Sequence, residues 1–322
     1  MYRKLTLLLL LVLLTQQCFC WGFFGHRRIN YYAVFLLPPQ LIRFYKPHIG
    51  YLSDHAVDPD MRRYAVAEEG PRHYIDLNDY GTFPFPNLPR NWDSAVARFG
   101  ADTINKRGIV PWWVQVMQGR LTKAFKEKDG ARILKLSAEI GHYIADAHVP
   151  LHAHSNHNGQ FTNQQGIHGF WESRLPELLA DKDWDFFIGK AGYIKNKAAF
   201  IWDRVLESAA AADTVLSAER ELTAAFPSDQ KYAFEQRNNT TGRQYALAFS
   251  KAYDKKLAGM VERRMRQSIY AVASFWYSAW VDAGQPHLMD MKNISLSLEE
   301  QKEWEALQQA WRTGSAKGRA HE

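Results

Sequence analysis

Two residue pairs, each a histidine followed four positions later by a carboxylate, constrain this chain more than anything else in it: His142 with Asp146, and His168 with Glu172. On a helix, residues four apart lie one turn above each other on the same face. Each pair can therefore offer a nitrogen and an oxygen to one divalent ion, and zinc accepts such mixed ligation most often. A single pair of this kind is usually a surface histidine resting on a carboxylate. Two pairs close together, with His152 between them, point to metal instead. Side chains that converge in this way are built into folds where helices face one another.

The rest of the sequence supports a helical fold. Apolar residues recur at the helical period, with no repeat, no low-complexity block and no Val/Ile-alternating run of strand length. The spacing predicts a helix from the early twenties to about 37, stopped by Pro38-Pro39. Others are expected near 92–99, 112–128, 131–148, 168–180, 197–212 and 216–225, with a long one over about 243–282. Pro150 ends the 131–148 helix. Residues 54–80 read as a functional loop, 81–89 as a proline-rich connector and 155–166 as a polar loop lining the site. A polar tail from about 286 holds one more amphipathic piece, 298–311. Phe275, Trp276, Tyr277 and Trp280 read as core. The expectation is an all-α, single multi-helix domain over 21–322.

Residues 1–20 stand apart from that domain. Arg3 and Lys4 precede an apolar run over 5–14, and Cys18-Phe19-Cys20 puts small residues at the −3 and −1 positions of a cut after Cys20. The run is too short for a membrane span, which needs about twenty apolar residues. This reads as a secretory signal, giving a secreted or periplasmic protein that begins at Trp21 and has no transmembrane segment. Both cysteines leave with the signal, so any zinc would have to be held by His, Asp, Glu and backbone. The net charge falls from +6 to about +4, a mild excess compatible with a phosphate-bearing substrate but too weak to imply one.

Further residues with metal-binding chemistry lie upstream. His26 is five residues past Trp21, whose α-amine and carbonyl become adjacent donors once exposed. Asp58 and Asp60 flank Pro59, and His73 opens His73-Tyr74-Ile75-Asp76. Singly, each is an ordinary loop residue. Together, Trp-Gly-x-x-Gly-His, a loop Asp, His-Tyr-Ile-Asp, His-x-x-x-Asp-x-x-x-x-x-His and His-x-x-x-Glu resemble the trinuclear-zinc phosphodiesterases. That superfamily contains bacterial zinc-dependent phospholipase C and the S-one/P-one-type single-strand nucleases. The motifs run from Trp21 to Glu172 in the family's order.

The resemblance implies an all-α fold and three zinc ions. It assigns one zinc to Asp58, His73, His142 and Asp146, with Asp60 as a rival for Asp58. It assigns a second to His152, His168 and Glu172. A third falls to the Trp21 amine and carbonyl, His26 and Asp146, whose carboxylate bridges two metals. His148, His154 and His157 match no ligand. The implied chemistry is hydrolysis of a phosphodiester by a zinc-bound hydroxide, because bridging metals lower the pKa of water toward 7 and clamp attacking and leaving oxygens. Asp58 is the expected acceptor of the water's proton. Purely structural zinc is closed by four protein ligands, commonly Cys. The three-ligand sets and shared carboxylate inferred here leave open positions.

The features bearing on substrate are mixed. Glu172 resembles phospholipase C, where the nucleases use Asp, and a cysteine-free mature chain departs from the disulfide-bearing fungal enzymes. The Trp21–His26 spacing and His73-Tyr74-Ile75-Asp76 resemble the nucleases, in which Tyr74 would stack on a base and Asp76 would bond its edge. Such stacking is worth about 1–3 kcal/mol per base. Pro59 and Phe24 fall where choline-binding phospholipases place an aromatic and a Glu. The sequence leans to a phospholipase C-like enzyme with an unassigned headgroup. A single-strand nuclease is the alternative, and a non-catalytic zinc-binding module comes third. No obligate protein partner is evident.

Overall fold

The computed structural model describes residues 22–237, 240–288, 291, 294 and 297–317. The proposed signal and Trp21 lie outside these residues. The protein is mostly helical, and one antiparallel hairpin, Tyr232–Arg237 paired with Thr240–Tyr245, is the only sheet among the described residues. No described helix is long and apolar enough to cross a membrane.

Four helices form the frame that matters for the site: Gly22–Ala33, Val110–Glu127, Gly130–Asp146 and Met260–Asp282. Asp129 caps the third by accepting a hydrogen bond from the backbone N–H of Arg132 (3.1 Å). All but a few residues of that helix are buried. Phe275, Trp276 and Trp280 of the Met260–Asp282 helix are buried, and Tyr277 packs against the core they help form. Trp276 stacks on Tyr45 at 5.1 Å between ring centroids and donates its indole N–H to the Ser137 carbonyl (3.0 Å).

One close crossing sets the position of the metal-binding face. Asn30 of the first helix donates to the Leu52 and Ala138 carbonyls, each at 3.0 Å. A Cβ at Gly141 would stand 2.0 Å from the Asn30 Oδ1. Only glycine lets the two helices approach this closely, and the approach stacks His26 on His142 with ring centroids 3.8 Å apart.

Several elements differ from the sequence expectation. Residues 54–80 are not a loop but a succession of short helical turns, among them Asp58–Arg62, Ala67–His73 and Leu77–Tyr80. The 197–212 and 216–225 helices are one, Lys197–Ala225, because Asp213-Thr214-Val215 between them contains neither Gly nor Pro to break it. The long helix expected over 243–282 is divided. Its start is strand, Leu247–Lys256 is a separate helix, and Ala258 and Gly259 at positive φ turn the chain into Met260–Asp282.

The hairpin carries Thr, Gln and Arg where a buried strand would carry Val and Ile, which hid it from pattern reading. Tyr245 stacks on Phe170 at 3.7 Å, and Arg174 pairs with Glu235. The hairpin thus braces the segment that carries Glu172.

Candidate metal centre

Six short stretches bring eight acid and imidazole groups together. His26 comes from the first helix, Asp60 from Asp58–Arg62 and His73 from the end of Ala67–His73. His142 and Asp146 share a face of Gly130–Asp146, and His152 lies in the turn Pro150–Ala153. His168 and Glu172 belong to the helix that opens at Ile167, and Glu172 sits in a π-helical turn, Phe170–Arg174. Single π turns inside helices are frequent at functional sites. All eight side chains are buried.

Within this cluster three groups of donor atoms approach closely enough to share a metal: His26, His142 and Asp146; Asp60, His73 and His142; and His152, His168 and Glu172. Asp146 stands among them with its two oxygens divided. Its Oδ2 lies 2.9 Å from His73 Nδ1 and 3.2 Å from His142 Nε2, while its Oδ1 lies 3.4 Å from His26 Nε2. Asp60 Oδ1 is 3.7 Å from both His73 Nδ1 and His142 Nε2. In the remaining group, the two oxygens of Glu172 stand 3.1 Å from His168 Nε2 and 3.4 Å from His152 Nε2.

The rings are oriented from behind. His142 Nδ1–H donates to the Ala56 carbonyl (2.9 Å), His152 Nδ1–H to the His73 carbonyl (2.6 Å) and His168 Nδ1–H to the His157 carbonyl (3.1 Å). A carbonyl only accepts, so these contacts fix the tautomer and leave each Nε2 lone pair facing the cluster. Asn158 supports the same loop by accepting from the Gly166 and His168 backbone N–H groups. These carbonyls and Asn158 carry no sequence signal. They follow only from the tertiary fold.

The electrostatics are those of a cation site, in which imidazole protons answer the buried carboxylates when no metal does. Burial alone would raise the carboxyl of Asp146, yet His142 and His152 hold it well below the ordinary carboxylate value. His168 and His152 hold Glu172 at about 2, again against burial. Burial would lower His142, but Asp146 and Asp60 raise it to about 9. His152 is likewise raised, by Asp146 and Glu172 against burial. His26 is lowered by burial and by its neighbour His142, so its ring stays neutral.

Both oxygens of Asp60, Oδ1 of Asp146, both oxygens of Glu172 and both nitrogens of His26 are buried and make no hydrogen bond among the described residues. Buried carboxylates left in this state are costly unless a cation joins them. The donor set of imidazole and carboxylate fits zinc.

Asp58, preferred to Asp60 from sequence, is not part of the cluster. Its Oδ2 pairs with His55 Nδ1 (2.7 Å), and its Oδ1 accepts from the Trp304 indole (3.2 Å). Asp60 occupies the place expected for it. Two residues apart on a helical turn, the carboxylates point to nearly opposite sides. Trp21, the remaining expected ligand, lies outside the described residues.

Tyr74 is buried, donates its hydroxyl to the Lys106 carbonyl (3.2 Å) and lies so close to Gly108 that a Cβ there would stand 2.2 Å from the Tyr74 carbonyl oxygen. Asp76 is buried where the chain enters Leu77–Tyr80. Of the three histidines read as outside the ligand set, His148 is buried near Arg264 with its Nδ1–H on the Ile144 carbonyl, and His154 lies at the edge, 4.0 Å from Asp213. His157 gives its carbonyl to the His168 ring and sets its own ring edge-on to it, 6.0 Å between centroids.

Compared with protein-family models and with curated proteins, the sequence matches none.

Proposed function

We propose that this protein is a secreted, zinc-dependent hydrolase of phosphoric ester bonds, similar to the trinuclear-zinc phosphodiesterases and phospholipase C-like in its substrate. The observation that carries this reading is the divided carboxylate of Asp146, buried between two donor groups with one oxygen toward each. A lone structural zinc needs no shared ligand, whereas a carboxylate shared between two donor groups can hold two ions as a pair, the arrangement that two-metal hydrolysis uses.

In this reading Asp60, His73, His142 and Asp146 hold one zinc, and His152, His168 and Glu172 hold a second. His26, Asp146 and the terminal amine and carbonyl of Trp21 hold a third. Zinc held by these residues would polarise a phosphoryl oxygen and lower the pKa of a bound water. The protein's own part is to orient. Carbonyls of Ala56, His73 and His157 point the imidazoles inward. Asp60, with no hydrogen bond on either oxygen among the described residues, is the carboxylate placed to accept a proton.

The lipid reading is favoured by Tyr74, whose ring and hydroxyl are committed to packing and so form no open stacking platform. The nuclease reading keeps the His73-Tyr74-Ile75-Asp76 run in its favour. Incubating the purified protein with mixed phospholipid vesicles, single-stranded DNA and RNA, with and without chelator, separates the two. Release of phosphorylated headgroups and diacylglycerol is expected, abolished by chelator. Strand cleavage alone transfers the assignment to the nucleases, and full zinc loading without cleavage of any substrate leaves a non-catalytic zinc-binding module. One extra residue retained before Trp21 is expected to remove one zinc per chain and most turnover. Unchanged zinc content in that variant refutes the terminal ligand.

A further inference from the structure

The cluster's five imidazoles come from five different stretches of chain, and three of them, His142, His152 and His168, are held alike, with Nδ1–H on a backbone carbonyl and Nε2 facing inward. His73 is reversed. Its Nδ1 faces Asp146 Oδ2 (2.9 Å), His142 Nε2 (3.0 Å) and Asp60 Oδ1 (3.7 Å). Its Nε2 is turned outward, toward Glu69 Oε1 at 3.6 Å. The group behind this ring is therefore a carboxylate rather than a carbonyl.

Glu69 is fully buried and built into a charged cage. Its Oε1 accepts from the Tyr143 hydroxyl, while Arg72 lies 2.5 Å and Arg62 3.5 Å from its Oε2. Arg72 is in turn stacked over Trp113 at 4.0 Å, and Arg62 pairs also with Glu139. Tyr143 belongs to the same helix as His142 and Asp146, so the cage and the donor groups share a rigid element. Glu69 and His73 both belong to the 3-10 segment Ala67–His73, in which Glu69 faces Arg72 three residues on and His73 closes the run.

We propose that Glu69 is a positioning residue for the metal centre, the outer acid of a carboxylate–histidine–metal arrangement that fixes His73 as an Nδ1 ligand. An anionic partner holds the proton on Nε2 and makes Nδ1 a stronger donor than a carbonyl-backed ring. The two arginines hold the Glu69 carboxylate by its Oε2 and keep it from swinging inward to become a ligand itself. The proposal rests on the metal centre described above but not on the identity of any substrate.

The test needs no turnover. In protein labelled with nitrogen-15 at histidine, long-range proton–nitrogen correlations report the tautomer of each ring. His73 is expected as the Nε2–H form, with His142, His152 and His168 as Nδ1–H once zinc is bound. Zinc titration of Glu69→Gln, followed at the His73 and His168 rings, is expected to show a 10- to 100-fold weaker site at His73, about the cost of losing an outer partner. The His168 site is expected to keep its affinity.

Equal weakening of both sites reveals a general loss of structure and overturns the positioning role, as does unchanged affinity at His73. Should Glu69→Gln fail to fold, the wild-type tautomer decides, and an Nδ1–H form of His73 overturns the proposal. Failure of the hydrolase reading changes none of these readouts.

Discussion

Replacing Asp60 with asparagine is expected to strip one zinc per chain and to cost hydrolysis at least about 100-fold, since even outer partners of metal ligands cost 10- to 100-fold. Asp58→Asn is expected to leave zinc content intact. Asp60 has two buried oxygens with no hydrogen bond among the described residues, aimed at His73 and His142. An asparagine there brings an amide N–H₂ toward imidazole lone pairs and removes the charge that a cation requires. Asp58 faces His55 and the Trp304 indole instead. Its amide variant weakens one charge-assisted contact, a stability change of about 1 kcal/mol. Zinc analysis by mass spectrometry of the two variants decides between the carboxylates. Loss of metal from Asp58→Asn alone would reverse the assignment.

The choice between these two residues shows where sequence reading stops. His142 with Asp146 and His168 with Glu172 are legible because four-residue spacing on a helix has only one geometric meaning. Asp58 and Asp60 differ by about 200° of helical phase, and that phase has meaning only once the segment is known to be helical. Pro59 and the surrounding acids read as loop, so the phase could not be assigned. Glu69 was hidden for the same reason. It stands in a run of acids and glycine that looks solvent-exposed, and nothing local indicates that Arg62, Arg72 and Tyr143 enclose it.

The core was easier to read than its connections. Phe275, Trp276 and Trp280 recur at helical spacing and are buried, as their pattern requires. The break before Met260 depends on two residues at positive φ, one of them Ala258, which carries no such preference in sequence.

Removing metal is expected to lower the unfolding midpoint, and to lower it more at pH 8.5 than at pH 6.5. A ligand that binds only the folded state stabilises it by about 4 kcal/mol per site at a thousandfold excess over its Kd. Each kcal/mol moves the midpoint of a 150–250-residue domain by roughly 2–4 °C, and somewhat less for a longer chain, so loss of two ions is a shift of roughly 15 °C. The pH dependence follows from His142. In the metal-free protein Asp146 and Asp60 raise its pKa to about 9, against burial. A pKa raised above the unfolded value of about 6.5 contributes stability that is fully present below that value and is lost as pH climbs toward 9. Over the same interval metal must displace a proton from His142 and another from His152, also raised, so metal affinity rises with pH. Both trends express one linkage: as pH rises the stripped protein weakens, while the loaded protein, whose ligand imidazoles have already given up their protons, holds its stability, and the gap between them widens. Scanning calorimetry with and without chelator at both pH values measures the gap. Titration in buffers of different ionisation enthalpy counts the protons released on binding. A gap that narrows with rising pH, or binding without proton release, would mean that the ions are held somewhere other than this cluster.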